Sequence, residues 1–201
     1  MKVSKGVRIA LLVVLLLIID QVIKLLVKTN MSLGESIHVC GNWFQLLFIE
    51  NNGMAFGLQF GEKWGKLILS LSRLVLIVLI IIYMRKLLKK PDTPTGVLVG
   101  LAAILCGAIG NIIDSMFYGI IFDYAPFLYG RVVDTFYFPL IDTTLPQNFP
   151  IWGGRHIIFF RPIFNFADSC ITCGAIYLLL FQWKFFSRNE KEKETEKEPL
   201  V

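Results

Sequence analysis

The sequence predicts an all-α membrane protein with four transmembrane helices, a small extracytoplasmic β unit and an extended second external segment. Hydrophobic residues make up 55% of the 201 residues and charged residues only 17%, a balance too apolar for an ordinary soluble domain. Four windows each approach the roughly 20 residues needed to cross a bilayer core. These windows cover residues 9–27, 67–84, 97–113 and 163–183. An asymmetric distribution of basic residues then orients them.

The first window is interpreted as a retained span and not as a secretory signal. Its apolar stretch exceeds the roughly 7–15 residues of a signal-peptide core, and no small-residue cleavage site follows it. Twelve lysines and arginines lie in three short flanks: before the first span, after the second and after the fourth. Only six lie in the longer connections, 28–66 and 114–162. The positive-inside rule therefore predicts cytoplasmic termini and external connections. This asymmetry accounts for the net charge of +5 and gives no reason to expect nucleic acid as a partner.

The two external connections differ in composition. The first has broken apolar alternation followed by a turn-like Asn-Asn-Gly, which predicts a small strand unit at the membrane surface. The second is rich in aromatic residues and contains five of the eight prolines, a composition typical of the membrane interface. The mixed-charge tail, 187–201, is expected to be disordered and solvated. We therefore expect residues 1–201 to form a single integral membrane domain.

Cysteine and histidine give no evidence of a disulfide framework or a metal site. Three of the four cysteines (Cys106, Cys170 and Cys173) fall within predicted spans, where they are expected to act as small apolar packing residues. Cys40 has no obvious partner in the first connection. The two histidines are far apart in sequence and match no zinc-ligand spacing.

Polar residues within the first and third spans need an explanation, because such groups are costly in a bilayer. Asp20 and Lys24 are four residues apart, so they share a helix face and can pair. They form either a structural ion pair or an anchor that orients a nearby site. In the third span one stripe carries Gly107, Gly110, Asn111 and Asp114. Glycines on such a stripe permit close helix packing, but packing alone does not require the amide and the acid.

The fourth span repeats this pattern, with Asn165 and Asp168 on one face together with Thr172 and Ala175. Two helices therefore each bring an Asn-x-x-Asp to the same predicted external boundary. Asp134 lies between them in sequence, within the apolar run Val-Val-Asp-Thr-Phe. An acid in such surroundings indicates a functional site. The turn Asn51-Asn52-Gly53 is by itself a weak signal.

These clusters, in this order, resemble the lipoprotein signal peptidase family (signal peptidase II). The resemblance covers nearly the whole chain and combines five motifs. They are the acid and lysine of the first span (Asp20, Lys24), an N-x-G-x-A-F turn (Asn51, Gly53, Ala55, Phe56), a G-N-x-x-D stripe (Gly110, Asn111, Asp114), a V-V-D segment (Asp134) and F-N-x-A-D-S at the fourth span (Phe164, Asn165, Ala167, Asp168, Ser169).

The resemblance implies an aspartic endopeptidase of the bacterial inner membrane, with its active site at the extracytoplasmic face. Asp134 and Asp168 would be the catalytic pair. Supporting or substrate-binding roles would fall to Asn51, Gly53, Asn111, Asp114, Asn165, Asp20 and Lys24. The substrate would be a prolipoprotein carrying a diacylglyceryl cysteine, cut just before that cysteine. No metal or organic cofactor is implied, membrane lipids are the other expected partners, and a monomer is expected.

The chain departs from the family pattern in two places. Ser115 stands where the family usually has an arginine after the G-N-x-x-D acid, and the stretches on either side of Asp134 are longer than usual. Arg131 and Arg161 are the candidates to replace that arginine.

Two other functional classes would also place acids and amides in membrane spans. A proton-coupled transporter would use them as a relay, and a structural scaffold would use them to hold helices together. The chain has no repeated halves, and its acids cluster at one predicted boundary, both of which favour the peptidase.

Overall fold

The computed structural model describes residues 3–52 and 62–187. Its long helices are α1 (Lys5–Asn30), α2 (Glu62–Leu88) and α3 (Thr95–Ile113), and a shorter helix, α5, covers Phe166–Phe181. A π-helical turn, Asp114–Tyr118, and the short α4, Gly119–Ile121, continue α3. The strands are β1 (Ser36–Cys40), β2 (Phe44–Asn51), β3 (Val132–Tyr137), β4 (Ile141–Thr144), β5 (His156–Phe159) and β6 (Ile163–Phe164).

Within the described residues, three helices are long and apolar enough to cross a membrane: Lys5–Asn30, Trp64–Leu88 and Thr95–Ile121. They contain the first three predicted windows. The fourth window, 163–183, differs from the prediction because its first residues form β6 and the helix begins only at Phe166. The resulting helix has 16 residues, or roughly 24 Å at 1.5 Å per residue. The chain is thus a helix-rich, multi-pass membrane protein with a small sheet.

The described residues fall into two compact units. The first consists of residues 3–19, 70–112 and 167–187, and the second of residues 20–52, 62–69 and 113–166.

In the first unit, α3 and α5 approach closely through small residues. A Cβ built on Gly107 would overlap the carbonyl oxygen of Ala167, and one built on Gly174 would lie 2.8 Å from the carbonyl oxygen of Gly100. Such small-residue contacts allow two membrane helices to pack backbone against backbone. Gly107, a member of the stripe predicted in the third span, has this packing role.

The second unit contains an antiparallel four-stranded sheet in the order β1-β2-β3-β6. The strand unit predicted for the first connection is present as β1 and β2. Gly41 turns the chain between them at a φ of 50°, a left-handed conformation that favours glycine. The second connection supplies β3 and β6, together with a separate hairpin of β4 and β5, none of which the sequence predicted.

A small core lies on one side of this sheet. Its buried members are Val27, Phe48, Tyr118 and Val133. Val133 and Phe48 come from neighbouring strands, whereas Val27 lies near the end of α1 and Tyr118 ends the π-helical turn. This core therefore fixes the strand that carries Asp134 against two helices.

Candidate active site

Asp134 lies in the middle of β3 and is 3% exposed. In the β2–β3 register it is opposite Ile49, so Asn51, two residues further along β2, shares its face of the sheet. The Asn51 amide donates to one Asp134 oxygen at 3.0 Å, and the Asn165 amide donates to the other at 2.7 Å. Two neutral amides thus fix the plane of this carboxylate without adding charge.

Asp168 lies in the first turn of α5, where the positive end of the helix dipole favours a carboxylate. The Asn111 amide on α3 donates to its Oδ1 at 2.8 Å. The close contact of Gly107 with the residue before Asp168 brings the two helices together one turn away from this hydrogen bond. A larger residue at 107 would push α3 from α5 and lengthen the Asn111–Asp168 bond.

Asp20, Lys24 and Asp114 form a buried charge cluster, each no more than 1% exposed. The predicted Asp20–Lys24 contact is present at 3.0 Å. Lys24 also bonds Asp114 at 2.9 Å, a partner 90 residues away that no helix spacing could reveal. Breaking such a cluster by removing one partner is strongly destabilising, because it leaves an uncompensated buried charge.

Asp114 connects this cluster to the strand that carries Asp134. Its Oδ2 accepts the backbone N–H of Val133 at 3.3 Å, and Val133 immediately precedes Asp134. Asp114 opens the π-helical turn, a distortion that occurs frequently at functional sites. Asp114 therefore positions β3 directly, while Asp20 acts through Lys24.

Gln21 completes the cluster, and sequence reasoning missed it. Its side-chain amide donates to Asp20 and to Asp114, each at 3.1 Å, and its oxygen accepts the Tyr118 hydroxyl at 3.3 Å. The available signal was a polar residue next to Asp20 in an otherwise apolar run. No spacing rule linked that residue to a second helix.

A second charge cluster, centred on Glu50, lies on the opposite face of the sheet from Asp134. Glu50 neighbours Asn51 in β2 and pairs in register with Val133. Its carboxylate binds Lys28 and, at 3.0 Å, the Arg131 guanidinium. This cluster joins the end of α1 to both strands beside the Asn51–Asp134 bond.

Tyr124 packs against both cations of this cluster. Its ring centroid lies 4.7 Å from the Lys28 ammonium and 5.4 Å from the Arg131 guanidinium carbon, within the range of a cation–π interaction. Its hydroxyl accepts the backbone N–H of Arg131 at 2.7 Å. Burial raises the pKa of the Tyr124 phenol above its usual value. Sequence reasoning singled out Arg131 but missed Glu50, Lys28 and Tyr124.

Ser115, which stands where the family usually has an arginine, lies at a close backbone contact with Gly130. Ser115 is 1% exposed, and its carbonyl oxygen accepts the backbone N–H of Gly130 at 2.9 Å. A Cβ built on Gly130 would overlap the carbonyl oxygen of Asp114, so the chain returns to this point at very close range. Arg131 follows directly, and its guanidinium binds Glu50. Arg131 and Arg161, the other candidate, are both exposed.

Other predicted features are placed as follows. Gly53, Ala55 and Phe56 lie outside the described residues, as does most of the charged tail. All four cysteines are thiols; Cys106 and Cys170 are buried, whereas Cys40 and Cys173 are exposed. Within residues 3–52 and 62–187, no three His, Cys, Asp or Glu side chains are grouped to hold a metal ion.

Comparison with known proteins identifies the family. The family model described as Signal peptidase (SPase) II matches residues 12–184. A lipoprotein signal peptidase of Porphyromonas gingivalis is 47% identical over 194 residues, covering 89% of this chain and 84% of that protein. One of Amoebophilus asiaticus is 41% identical over 187 residues, covering 89% and 78%.

A solved structure has a similar fold. It is described as a bacterial membrane enzyme determined by the in meso method at 2.3 Å resolution, and it matches with a TM-score of 0.59 and 25% identity over 96% of this chain and 94% of that one. The sequence relatives and the family match agree with the resemblance read from the sequence. The chain belongs to the signal peptidase II family.

Proposed function

We propose that Asp134 and Asp168 are the catalytic pair with which this signal peptidase II cuts diacylglyceryl-modified prolipoproteins just before the lipidated cysteine. The supporting observation is that asparagine amides hold both acids. Asp134 accepts from Asn51 and Asn165, and Asp168 accepts from Asn111. Each asparagine was singled out in the sequence, and each bonds an acid from a different motif.

The proposed chemistry needs two carboxylates and one shared proton. Two acids about 3 Å apart cannot both ionise, so the pair titrates as a unit. The ionised member removes a proton from a water molecule as the water oxygen attacks the scissile carbonyl. The protonated member gives its proton to the developing oxyanion. The acid that took the proton from water then passes it to the leaving amine nitrogen, and the other acid recovers its proton as the carbonyl re-forms, so the pair again holds one proton. General acid–base action of this kind supplies roughly 10²–10⁴-fold, and positioning supplies much of the remainder.

The asparagines suit this chemistry because an amide donates a hydrogen bond without carrying charge. A lysine or arginine in their place would favour ionisation of both acids and remove the shared proton. Two cations of the second unit bind other acids: Lys24 binds Asp20 and Asp114, and Arg131 binds Glu50 on the opposite face of the sheet. One chain supplies all of these groups, so a monomer suffices.

The topology we propose has four spans, with the active site at the extracytoplasmic face of the inner membrane. Three helices are long enough to span a membrane, and α5 is followed by a further helical segment at 183–187. The length of α5, roughly 24 Å, is shorter than the ~30 Å hydrocarbon core of a bilayer. Local thinning of the bilayer can accommodate this mismatch. A lipid-bearing substrate partitions into the same bilayer, which delivers its scissile bond close to the interface.

The substrate assignment is tested with one precursor in two forms. The purified chain should cleave a diacylglyceryl-modified prolipoprotein before its cysteine and should leave the unmodified precursor intact. The rate should follow a bell-shaped pH profile, because one acid must be ionised and the other protonated. Equal cleavage of the two forms would contradict the proposed substrate, and cleavage that depended on added metal would contradict the mechanism.

A further inference from the structure

The β4–β5 hairpin ends in a well-formed loop that the proposed peptidase chemistry does not use. We call residues 145–154 the prong. The strands pair in register from Ile141↔Phe159 to Thr144↔His156. The prong is closed at its base by Leu145 N–H donating to the carbonyl of Arg155 at 2.9 Å and by Gly154 N–H donating to that of Leu145 at 3.1 Å. Its backbone is therefore fixed by hydrogen bonds of its own.

The prong presents apolar side chains outward. Its sequence, Leu-Pro-Gln-Asn-Phe-Pro-Ile-Trp-Gly-Gly, contains no charged residue. Ile151 is 92% exposed, Trp152 52% and Phe149 47%. Three large apolar side chains exposed close together in one loop indicate an interaction surface.

Ile151 combines this exposure with backbone strain. Its φ is +69°, a conformation that is a genuine outlier for a β-branched residue. Glycine would occupy this position without the strain, and a polar side chain would avoid exposing apolar surface to water. Strain of this kind concentrates at functional sites. The side chain of Ile151 is therefore held outward at a cost, as expected when an apolar phase receives it.

We propose that the prong inserts into the headgroup–acyl boundary of the phospholipid bilayer in which the chain is embedded. The charge pattern fits this occupant. The uncharged tip is followed by two exposed arginines, Arg155 and Arg161, while the acid of the hairpin, Asp142, is paired with His156 at 2.8 Å. An apolar tip beside cationic groups complements acyl chains beneath a layer of phosphate. A tryptophan ring is well suited to that boundary.

The position of the hairpin in the chain supports a lipid surface over a protein partner. The prong belongs to the same compact unit as residues 20–30 of α1 and 64–69 of α2, and both helices are apolar enough to cross a membrane. A bilayer crossed by these helices is therefore an apolar phase that the same unit already contacts. A peripheral anchor of this kind would hold the second connection close to the membrane surface.

Tryptophan quenching in nanodiscs tests the proposal on the full-length chain. Each disc contains one copy of the protein in a mixture of phosphatidylcholine and phosphatidylglycerol. The lipids are used in two forms, with and without bromine atoms near the glycerol end of the acyl chains. The fluorescence of Trp152 is obtained as the difference in emission between the parent and Trp152→Phe. We expect brominated lipid to reduce this signal by roughly half or more, and aqueous acrylamide to reduce it little.

Trp43 provides a matched control. It is also 52% exposed, but it lines a groove with polar neighbours that include His38, Asn42 and Gln45. The fluorescence of Trp43, obtained as the difference in emission between the parent and Trp43→Phe, should be quenched by acrylamide and not by brominated lipid. If Trp152 instead behaves like Trp43 in these single-copy discs, the prong faces water or a missing protein partner, and the lipid proposal is overturned.

Ile151→Gly separates anchoring from folding. The change removes both the exposed side chain and the unfavourable φ, so the thermal midpoint in detergent should stay the same or rise. In nanodiscs it should weaken the quenching of Trp152 by brominated lipid, because the prong loses its most exposed apolar group. Unchanged lipid quenching in Ile151→Gly would show that this side chain is not an anchor and would also overturn the proposal.

Discussion

Replacing Lys24 by methionine should destabilise the protein more than any other single lysine change in α1. Methionine keeps an unbranched chain of similar length but removes the ammonium, which lies 3.0 Å from Asp20 and 2.9 Å from Asp114. Both carboxylates have 0% side-chain exposure and would lose their shared cation. Removing one partner of a buried ion pair costs about 3–5 kcal/mol, and insertion scales give about 2.5–3.5 kcal/mol for one uncompensated charge in a membrane. We therefore expect a loss of about 3–5 kcal/mol.

Lys28→Met in the same helix is the control. Lys28 and Glu50 are 12% and 8% exposed, and Glu50 keeps its bond to Arg131, so no buried charge is left alone. We expect a loss of about 1–2 kcal/mol from the ion pair and the nearby aromatic rings.

Thermal unfolding in detergent, followed by circular dichroism, measures the difference between the two variants. Shifts of about 2–4 °C per kcal/mol for a chain of this size give about 6–20 °C for Lys24→Met and about 2–8 °C for Lys28→Met. Adding Asp114→Asn to Lys24→Met should recover part of the loss, because it removes one of the uncompensated charges. A loss for Lys24→Met no larger than that for Lys28→Met would refute this account of the cluster.

Three further predictions follow from other parts of the chain. Reporter fusions after Lys90 and near Asn148 should report opposite sides of the membrane, and identical signals would reject the four-span topology. Arg131→Ala should slow cleavage by about tenfold or more with folded protein retained, because Glu50, beside Asn51, then keeps only Lys28 as its partner. Arg161→Ala should cleave at the parent rate, and parent rates for both variants would reject the idea that a basic residue replaces the missing arginine. Burial raises the folded-state pKa of Tyr124, so its contribution to stability is present at neutral pH and is lost as the pH rises above about 10. Between neutral and strongly alkaline pH, Tyr124→Phe should therefore lose less stability than the parent. Equal losses for the two proteins would contradict this prediction.

Local spacing predicted those parts of the site that lie within one helix. Asp20 and Lys24 share a face because they are four residues apart, and the structure has them in contact. The third member, Asp114, could not be found in this way, because helix periodicity relates residues of one element and carries no information on which helices meet. The same limit hid Gln21, whose two acceptors lie on different helices.

The sheet was only partly predictable for a related reason. The first connection showed alternation and a turn signal, and it forms β1 and β2 as expected. The sequence of β3 is an apolar run that contains an acid. This pattern indicated a functional role for Asp134 but did not predict that the residue lies in a strand. Its partners Asn51, in β2, and Asn165, directly after β6, lie 83 and 31 residues away in sequence. Their approach depends on the strand register, which is set by tertiary pairing.

Resemblance to a family contributed what spacing could not. It connected five weak motifs along the chain, and the family match over residues 12–184 agrees with it. Membership makes the chain a peptidase and removes the transporter and scaffold alternatives. The additional structure of the second connection, β4, β5 and the prong, has no counterpart among those motifs, so nothing in the sequence patterns predicted it.

Single-turnover cleavage of a lipidated precursor by variants of verified fold tests the central claim most directly. Asp134→Asn and Asp168→Asn keep the shape of each side chain but remove the proton the pair must share. Each should reduce the cleavage rate by about 10²–10⁴-fold or more while still binding substrate, and the double variant should be little worse than either single one because the acids act as a unit. Asp114→Asn should give a marked but incomplete loss, and Asp142→Asn, an exposed acid of the hairpin, should cleave at the parent rate. Near-parental cleavage by Asp134→Asn or Asp168→Asn would contradict the assignment of these two residues as the catalytic pair.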